Sequence, residues 1–348
     1  MQQPWIIFLI IWLNLYLGVS GAVECKYESE ESKTIKYTIT VGRSGKEQLK
    51  TIQGAIDSIL PNKDYWTRIH VSPGLYMEKV IIPPEKTCIY LEGSGRHDTI
   101  VYYNGHEQTN TSATFFSYAE NIAVKGFTFQ NSYNRPLTGK IDGEIKQAVA
   151  VAIFGDKTSF YGCRFVGLQD TLWDAQGRHY FRSCYIEGAI DFIFGNGQSI
   201  YENCKINATA GSLPPYIQAG YITAQGRLSP TDPSGFVFRG GIVSGSGKNY
   251  LGRAYGPYSR VIFDGTTFAA VIFPPGWNAW YYPEQQGNFV HAEVYCKGPG
   301  SNTSGRVPWV KKQLGQREMS KFSRSLFIDH DGWLAKQPAW RHPHTNQP

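Results

Sequence analysis

A short sequence pattern recurs three times between residues 160 and 206. Its copies are Phe160-Tyr161-Gly162-Cys163-Arg164-Phe165, Tyr180-Phe181-Arg182-Ser183-Cys184-Tyr185-Ile186 and Ile200-Tyr201-Glu202-Asn203-Cys204-Lys205-Ile206. Apolar residues alternate on both sides of each cysteine, which is the period of a β-strand. The cysteines recur after 21 and then 20 residues. Related segments lie at residues 122–129, 235–243 and 260–268.

Strand repeats of about twenty residues with glycine-rich corners indicate a right-handed parallel β-helix, in which each coil buries its inward face against its neighbours. The 37 glycines and the 14% aromatic content favour many short strands joined by tight turns. No long amphipathic helix interrupts the repeats, so a sheet with crossover helices is disfavoured. The sequence therefore predicts an all-β solenoid. A helix over residues 49–60, with apolar residues at helical spacing, is expected to cap its N-terminal end.

The composition narrows the class of protein. With 348 residues, 18% of them charged, the chain is neither disordered nor a coiled coil. Its formal net charge of +6 favours acidic partners, which outside a cell are anionic polysaccharides or lipid headgroups. Nucleic acid is not expected, because no run of Lys and Arg with interleaved aromatics is present.

The N-terminus indicates export. Residues 1–22 contain a long apolar run and small residues near its end, which predicts a signal peptide. An uncleaved membrane anchor is the alternative, although the run is short for a span. A short segment, 23–34, would follow, then the main domain over 35–340 and a polar tail over 341–348. Three glycosylation sequons begin at Asn110, Asn207 and Asn302, so we expect a secreted glycoprotein with no membrane attachment after cleavage.

The cysteines serve here as register marks. A ladder of buried thiols inside the coils, or a Cys184–Cys204 bridge between coils, is favoured over a reactive thiol. No spacing of Cys or His suggests a metal site.

Two aspartates occupy equivalent positions in consecutive repeats. Asp170 lies seven residues after Cys163, and Asp191 lies seven residues after Cys184. Equivalent positions stack about 4.8 Å apart in a parallel β-helix, so we expect the two side chains on neighbouring strands. Two such carboxylates cannot both ionise easily, so one pKa should rise while the other stays low. A calcium site or a solvent-facing pair of acids is the structural alternative.

Three further residues are candidate partners of this pair. Arg253 stands in an apolar, glycine-bracketed stretch and is expected to form a buried ion pair with one carboxylate. Gln169 and Gln147 carry neutral amides that could donate to a developing oxyanion. A purely structural role for each glutamine is the alternative.

Five ordered blocks in the chain resemble those of the plant pectinesterases (pectin methylesterases). They are Gly74-Leu75-Tyr76-Met77-Glu78, Gln147-Ala148-Val149-Ala150-Val151, Gly167-Leu168-Gln169-Asp170-Thr171-Leu172, Asp191-Phe192-Ile193-Phe194-Gly195 and Leu251-Gly252-Arg253. The similarity extends over roughly residues 35–340.

The resemblance implies a β-helix of the pectin-lyase-like type that hydrolyses the methyl esters of homogalacturonan in the cell wall, giving acidic pectin and methanol. It implies Asp191 as nucleophile and Asp170 as general acid and then base. Gln147 and Gln169 would form the oxyanion site, and Arg253 would hold Asp191 ionised. The implied sugar-binding aromatics are Trp173, Phe194, Tyr255 and Trp280. No metal or organic cofactor is implied. The expected partners are pectin and a proteinaceous pectinesterase inhibitor, and the expected state is a monomer.

Two departures from the family pattern stand out. Ala254-Tyr255 replaces the usual Pro-Trp after the fifth block, which reduces the sugar-stacking face. Only about a dozen residues separate the leader from the enzyme domain, so no N-terminal inhibitor-like region is expected.

Two rival functions remain open from the residues. A pectate lyase or polygalacturonase would use the same scaffold with a different arrangement of acids. A wall-binding protein without turnover is the other alternative.

Overall fold

A computed structural model describes residues 24–27, 34–134 and 144–341. The predicted signal peptide and most of the predicted C-terminal tail lie outside the described residues. Within the described residues, no helix has the length and apolar character needed to cross a membrane.

The described chain winds through three parallel sheets, S1, S2 and S3, which each coil visits in that order. S1 contains β1 (Ile35–Val41), β2 (Trp66–Val71), β5 (Ile89–Gly93), β8 (Ile122–Lys125), β11 (Thr158–Tyr161), β14 (Arg178–Arg182), β17 (Gln198–Glu202), β20 (Gly235–Arg239), β23 (Arg260–Asp264) and β26 (Val290–Val294). S2 contains β3 (Gly74–Met77), β6 (Thr99–Tyr103), β9 (Thr128–Asn131), β12 (Arg164–Val166), β15 (Tyr185–Gly188), β18 (Lys205–Thr209), β21 (Ile242–Ser246) and β24 (Thr267–Phe268). S3 contains β4 (Val80–Ile82), β7 (Phe115–Ser117), β10 (Val151–Ile153), β13 (Leu172–Asp174), β16 (Ile193–Gly195), β19 (Gly220–Gln225), β22 (Asn249–Ala254) and β25 (Trp277–Asn278). This is the parallel β-helix that the repeats predict.

The cysteine repeats mark the corner between S1 and S2. Each corner has two residues, and the first adopts a left-handed conformation, as at Ser183 (φ 53°) and Asn203 (φ 52°). The second residue is Cys163, Cys184 or Cys204, and all three are buried free thiols. Each thiol donates to a carbonyl of the preceding coil, for example Cys184 Sγ to Phe160 O at 3.5 Å. The predicted ladder of thiols is therefore confirmed, and the alternative Cys184–Cys204 bridge is absent.

The disulfide of the described chain joins Cys25 to Cys88 instead. It ties the segment before β1 to the start of β5, 63 residues further along the chain. Spacing alone did not indicate this pairing, because Cys25 lies outside the repeat.

The interior of the β-helix is a stack of aromatic rings from equivalent positions of S1. Phe160 stacks on Phe181 (5.3 Å between ring centroids), Phe181 on Tyr201 (4.5 Å) and Tyr201 on Phe238 (4.6 Å). Rings at one position in successive coils meet face to face because parallel strands keep them in register. This internal stack fixes the alignment of each coil with the next.

The N-terminal helix is shorter than predicted. Helix α1 spans Ile52–Ser58 instead of residues 49–60 and buries Ile52, Ala55 and Ile56 against the first coil. Thr51 caps its start, because the Thr51 side chain accepts a hydrogen bond from the Gly54 N–H. The carboxylate of Glu78 also accepts hydrogen bonds from the N–H groups of Ile52 (2.9 Å) and Gln53 (3.1 Å). Glu78 therefore has a structural role at the start of this helix.

The C-terminal segment covers the outer face of S1. It contains α2 (Gln316–Ser320), α3 (Arg324–Phe327) and the 3-10 turns Leu334–Lys336 and Pro338–Arg341; further 3-10 turns span Ala210–Ser212, Gln286–Asn288 and Pro299–Ser301. Phe327 and Trp333 from this segment belong to the same buried cluster as Tyr180 and Ile200 of S1. The outer face of S3 has its own, smaller apolar cluster, and this face holds the candidate site.

Candidate active site

The candidate site lies on the outer face of S3. Leu172 and Ile193 point into the core, so their neighbours Trp173 and Phe194 point outward. The strand register aligns these outward residues in one row, which runs Phe116, Ala152, Trp173, Phe194, Ala224, Arg253 and Asn278. The row forms a largely apolar floor with one cation, Arg253, near its C-terminal end.

Asp170 and Asp191 stand at the corners that lead into this face. Residues Gln169 and Ile190 form a parallel β-bridge, and the Asp170 N–H donates to Ile190 O at 3.0 Å. The two aspartates are therefore in register on adjacent coils. Both adopt left-handed conformations, with φ of 62° and 46°, which are uncommon for residues other than glycine. Ser183 and Asn203 adopt the same conformation at the corners between S1 and S2, so it reflects the tight turning of the chain at a corner.

A glycine three residues before each aspartate makes the corner possible. A Cβ atom on Gly167 would lie 2.5 Å from Thr171 Oγ1, and one on Gly188 would lie 2.2 Å from Phe192 Cβ. The side chain that follows each aspartate therefore packs directly onto the glycine backbone. This local packing explains why a glycine stands three residues before each aspartate.

Burial and mutual repulsion raise the pKa of Asp170 well above its usual range. Asp170 is only 4% exposed, and the negative charge of Asp191 adds to the cost of ionising it. Asp170 thus favours its protonated form and can donate a proton.

Asp191 is paired with Arg253. The Arg253 Nε atom donates to Asp191 Oδ1 at 2.7 Å, and its Nη2 atom donates to Oδ2. This is the bidentate contact expected of arginine with a carboxylate. Arg253 lies two strands away from Phe194 in the register of S3, with Ala224 on the strand between them. Its side chain therefore extends back across that strand to contact Asp191.

The expectation that one carboxyl of the pair keeps a low pKa is wrong. Burial raises the pKa of Asp191 as well, although the hydrogen bonds and charge of Arg253 act in the opposite direction. The physical reason is that Asp191 is itself 7% exposed, so the loss of water outweighs the guanidinium. The two pKa values still differ in the expected order, because Asp170 has no such ion pair.

Two aromatic rings hold the guanidinium of Arg253. Its Cζ atom lies 3.7 Å from the ring centroid of Trp280 and 4.3 Å from that of Tyr221. These distances are within the range of cation–π interactions. Tyr221, the second residue of β19, is not among the residues that the sequence singles out, because apolar and polar residues do not alternate around it.

The two candidate glutamines occupy neighbouring coils. The Ala148 N–H donates to Gln169 O at 3.3 Å, which sets Gln147 on the coil next to Gln169. Gln147 is exposed and Gln169 is half-buried. Within the described ranges neither side-chain amide makes a hydrogen bond, so both can donate to a ligand.

The four candidate sugar-binding aromatics form two groups. Trp173 stacks on Phe194 at 5.6 Å, and both belong to the floor of S3. Tyr255 and Trp280 meet at 5.2 Å beyond Arg253. Tyr255 is half exposed, whereas Phe194 is buried, and one face of Trp280 is covered by the guanidinium. Tyr255 is therefore the most exposed ring of the four, whereas Trp173 and Trp280 are half-buried.

Comparison with known proteins gives one consistent result. The family model described as Pectinesterase matches residues 38–331. An Arabidopsis thaliana protein named putative pectinesterase 10 is 47% identical over 88% of this chain and 89% of its own length. Another, probable pectinesterase 55, is 46% identical over 87% of this chain and 91% of its own. Among solved structures, a pectin methylesterase from carrot has 29% identity and a TM-score of 0.80, with 89% of this chain and 98% of that one covered.

The chain is a parallel β-helix enzyme with a carboxylate pair on the outer face of one sheet. Within this class, the chain belongs to the pectinesterase family.

Proposed function

We propose that this protein is a carboxylic ester hydrolase that removes methyl esters from homogalacturonan, giving acidic pectin and methanol. The observation that carries the proposal is the bidentate contact of Arg253 with Asp191, one coil away from the buried Asp170. Family membership and the similarity to the carrot enzyme support the substrate class.

In the proposed first half-reaction, Asp191 attacks the ester carbonyl. Its ion pair with Arg253 favours the anion needed for attack and fixes the direction of the carboxylate oxygens. The negative oxygen of the tetrahedral intermediate is stabilised by the amides of Gln147 and Gln169. Each such donor contributes about 3 kcal/mol in enzymes where one has been removed.

Asp170 completes the reaction as acid and then as base. Methoxide is too basic to leave alone, so the protonated Asp170 donates its proton and methanol departs. The resulting Asp170 carboxylate then takes a proton from water, which attacks the acyl-enzyme anhydride. The galacturonic acid product is released and loses its remaining proton to solvent, and Asp191 is regenerated as an anion and Asp170 as an acid.

This mechanism requires a bell-shaped dependence of activity on pH. The rate falls at low pH as Asp191 becomes protonated, and it falls at high pH as Asp170 loses its proton. Because burial raises the pKa of both carboxyl groups, both limbs are displaced to higher pH than ordinary aspartates would give.

We also propose that the protein acts outside the cell, in the cell wall. The apolar N-terminal run and the sequons support export. Asn110 and Asn302 are exposed and suited to glycosylation. At Asn207 the side-chain amide donates to the Glu187 carboxylate at 3.1 Å, so we expect little glycan there. The monomeric state and an inhibitor partner stay predictions.

The test is methanol release from highly methylated pectin by the wild-type protein and by Asp170→Ala. We expect steady methanol production by the wild type, and a loss of at least about a hundredfold in the variant, the scale of general acid–base catalysis. Full activity in Asp170→Ala would overturn the mechanism. Methanol without new reducing ends or unsaturated products excludes the polygalacturonase and lyase alternatives.

A further inference from the structure

A line of aromatic contacts leaves the catalytic corner towards the N-terminal end of S3. Beyond Phe194 and Trp173, the ring of Trp173 meets Phe154 at 5.0 Å, and Phe154 stacks on Tyr118 at 4.9 Å. Phe154 and Tyr118 directly follow strands β10 and β7, so each step of the line advances by one coil. Tyr118, at the far end, is 37% exposed.

A lysine stands at the end of this line. Lys79 directly precedes β4, and its Nζ atom lies 5.4 Å from the ring centroid of Phe116. Phe116 belongs to the outward row and stacks on Tyr118 at 5.9 Å. The ammonium donates one hydrogen bond, to Thr111 O at 2.8 Å, and has two further protons to offer.

The Lys79 charge has no carboxylate partner in the part of the chain that the structure describes. It is half-buried beside an aromatic floor, where its attraction to an anion is screened less than in open water. An anionic ligand that lies along the floor would therefore meet Lys79 after crossing Tyr118.

The spacing of the strands sets the reach of such a ligand. From β13, which follows Asp170, to β4 there are three inter-strand steps in S3, or about 14 Å. A single sugar cannot span this distance, whereas an oligosaccharide that extends along the sheet can.

We propose that Lys79, Tyr118 and Phe154 form an outer sugar site that binds a galacturonate residue with a free carboxylate. The apolar face of the sugar packs on Tyr118 and Phe154, and its carboxylate pairs with Lys79. The inference rests on the proposed function for the identity of the polysaccharide. Its consequence is a preference for pectin that already carries free carboxylates on this side of the reacting ester.

The site is tested by direct binding, which requires no turnover. Unesterified hexagalacturonate is titrated into wild type, Lys79→Met and Lys79→Arg by calorimetry at low ionic strength. We expect Lys79→Met to bind about threefold to fivefold more weakly, as suits one partly exposed ion pair, and Lys79→Arg to bind like the wild type. The difference should shrink in high salt.

Lys205→Met is the matched control, because Lys205 is an exposed lysine near a tyrosine ring (Tyr185, 5.9 Å) on a strand of S2 instead of S3. It should bind like the wild type. Tyr118→Ala should weaken binding while Tyr118→Phe retains it. Unchanged binding by Lys79→Met, or an equal loss in Lys205→Met, overturns the proposal, as does a wild type that does not bind hexagalacturonate.

Activity separates this proposal from the proposed function. The ratio of kcat/KM on partly de-esterified pectin to that on fully methylated pectin should fall by a similar factor in Lys79→Met only. A wild type that binds hexagalacturonate at Lys79 but releases no methanol would refute the esterase function and leave the outer site standing.

Discussion

Replacement of Arg253 by glutamine should shift the acid limb of the pH profile to higher pH. Arg253 contacts both oxygens of Asp191 and is the cation that opposes the effect of burial on the Asp191 pKa. Without it, the carboxylate anion loses its partner in a buried setting, and its pKa rises further. The position of the acid limb therefore reports directly on this ion pair.

The size of the shift follows from the geometry. Opposite charges about 4 Å apart interact by about 4 kcal/mol at an effective dielectric constant of about 20. With about 1.4 kcal/mol for each pKa unit, the upper limit is a shift of about three pH units. We expect at least one unit, because water that enters the space of the guanidinium recovers part of the loss.

The assay is kcat/KM for methanol release between pH 4 and pH 9 in wild type, Arg253→Gln and Arg253→Lys. Arg253→Lys retains the charge but loses the two-pronged contact and the fit between Trp280 and Tyr221, so its limb should move less while kcat still falls. If Arg253→Gln is too slow to assay, carbon NMR titration of Asp191 gives the same quantity. A slower enzyme with an unmoved acid limb and an unmoved Asp191 titration would refute the role given to Arg253.

Three further predictions concern stability. Asp170→Asn should raise Tm at pH 7 to 8. Because the pKa of Asp170 is raised in the folded state, Asp170 stabilises the fold at low pH, and this contribution is lost as pH rises through that pKa. A variant whose Tm depends on pH as in the wild type would contradict this reasoning. Gly188→Ala should lower the free energy of unfolding by about 1–3 kcal/mol because its Cβ meets Phe192, whereas Gly287→Ala, with no atom within 4 Å of the added Cβ, should be nearly neutral; equal Tm changes would count against the packing argument. Replacement of Cys25 and Cys88 by alanine should cost up to about 4 kcal/mol, the loop-closure value for a 63-residue separation, and an unchanged denaturation midpoint would show that the bridge contributes nothing.

The repeating part of the fold could be predicted because each coil contains the same strands and corners at nearly the same spacing. The period of the cysteines fixed the coil length, and the equal offsets of Asp170 and Asp191 from them indicated the shared register seen at the Gln169–Ile190 bridge. Such periodic features need only nearest-neighbour stacking, which a single sequence reveals.

Features without a period were harder to predict. The helix boundaries depend on Thr51 and on Glu78, a residue 26 positions after Ile52, so apolar spacing alone gave a helix that was too long. The Asp191 pKa depends on how much water the folded site excludes, and a sequence motif carries no information about this burial. The clamp of Tyr221 and Trp280 on Arg253 joins three segments whose proximity arises only from the coiling.

The division of labour between the two aspartates is tested most directly by changing the leaving group. A trifluoroethyl ester of oligogalacturonate releases an alcohol that needs no proton from an acid, so acylation should no longer depend on Asp170. We predict that Asp170→Ala, nearly inactive on the methyl ester, releases a burst of about one equivalent of trifluoroethanol and then stalls. Asp191→Ala should release none from either ester. A burst in Asp191→Ala, or no rescue of Asp170→Ala by the better leaving group, would contradict the assignment of nucleophile and acid.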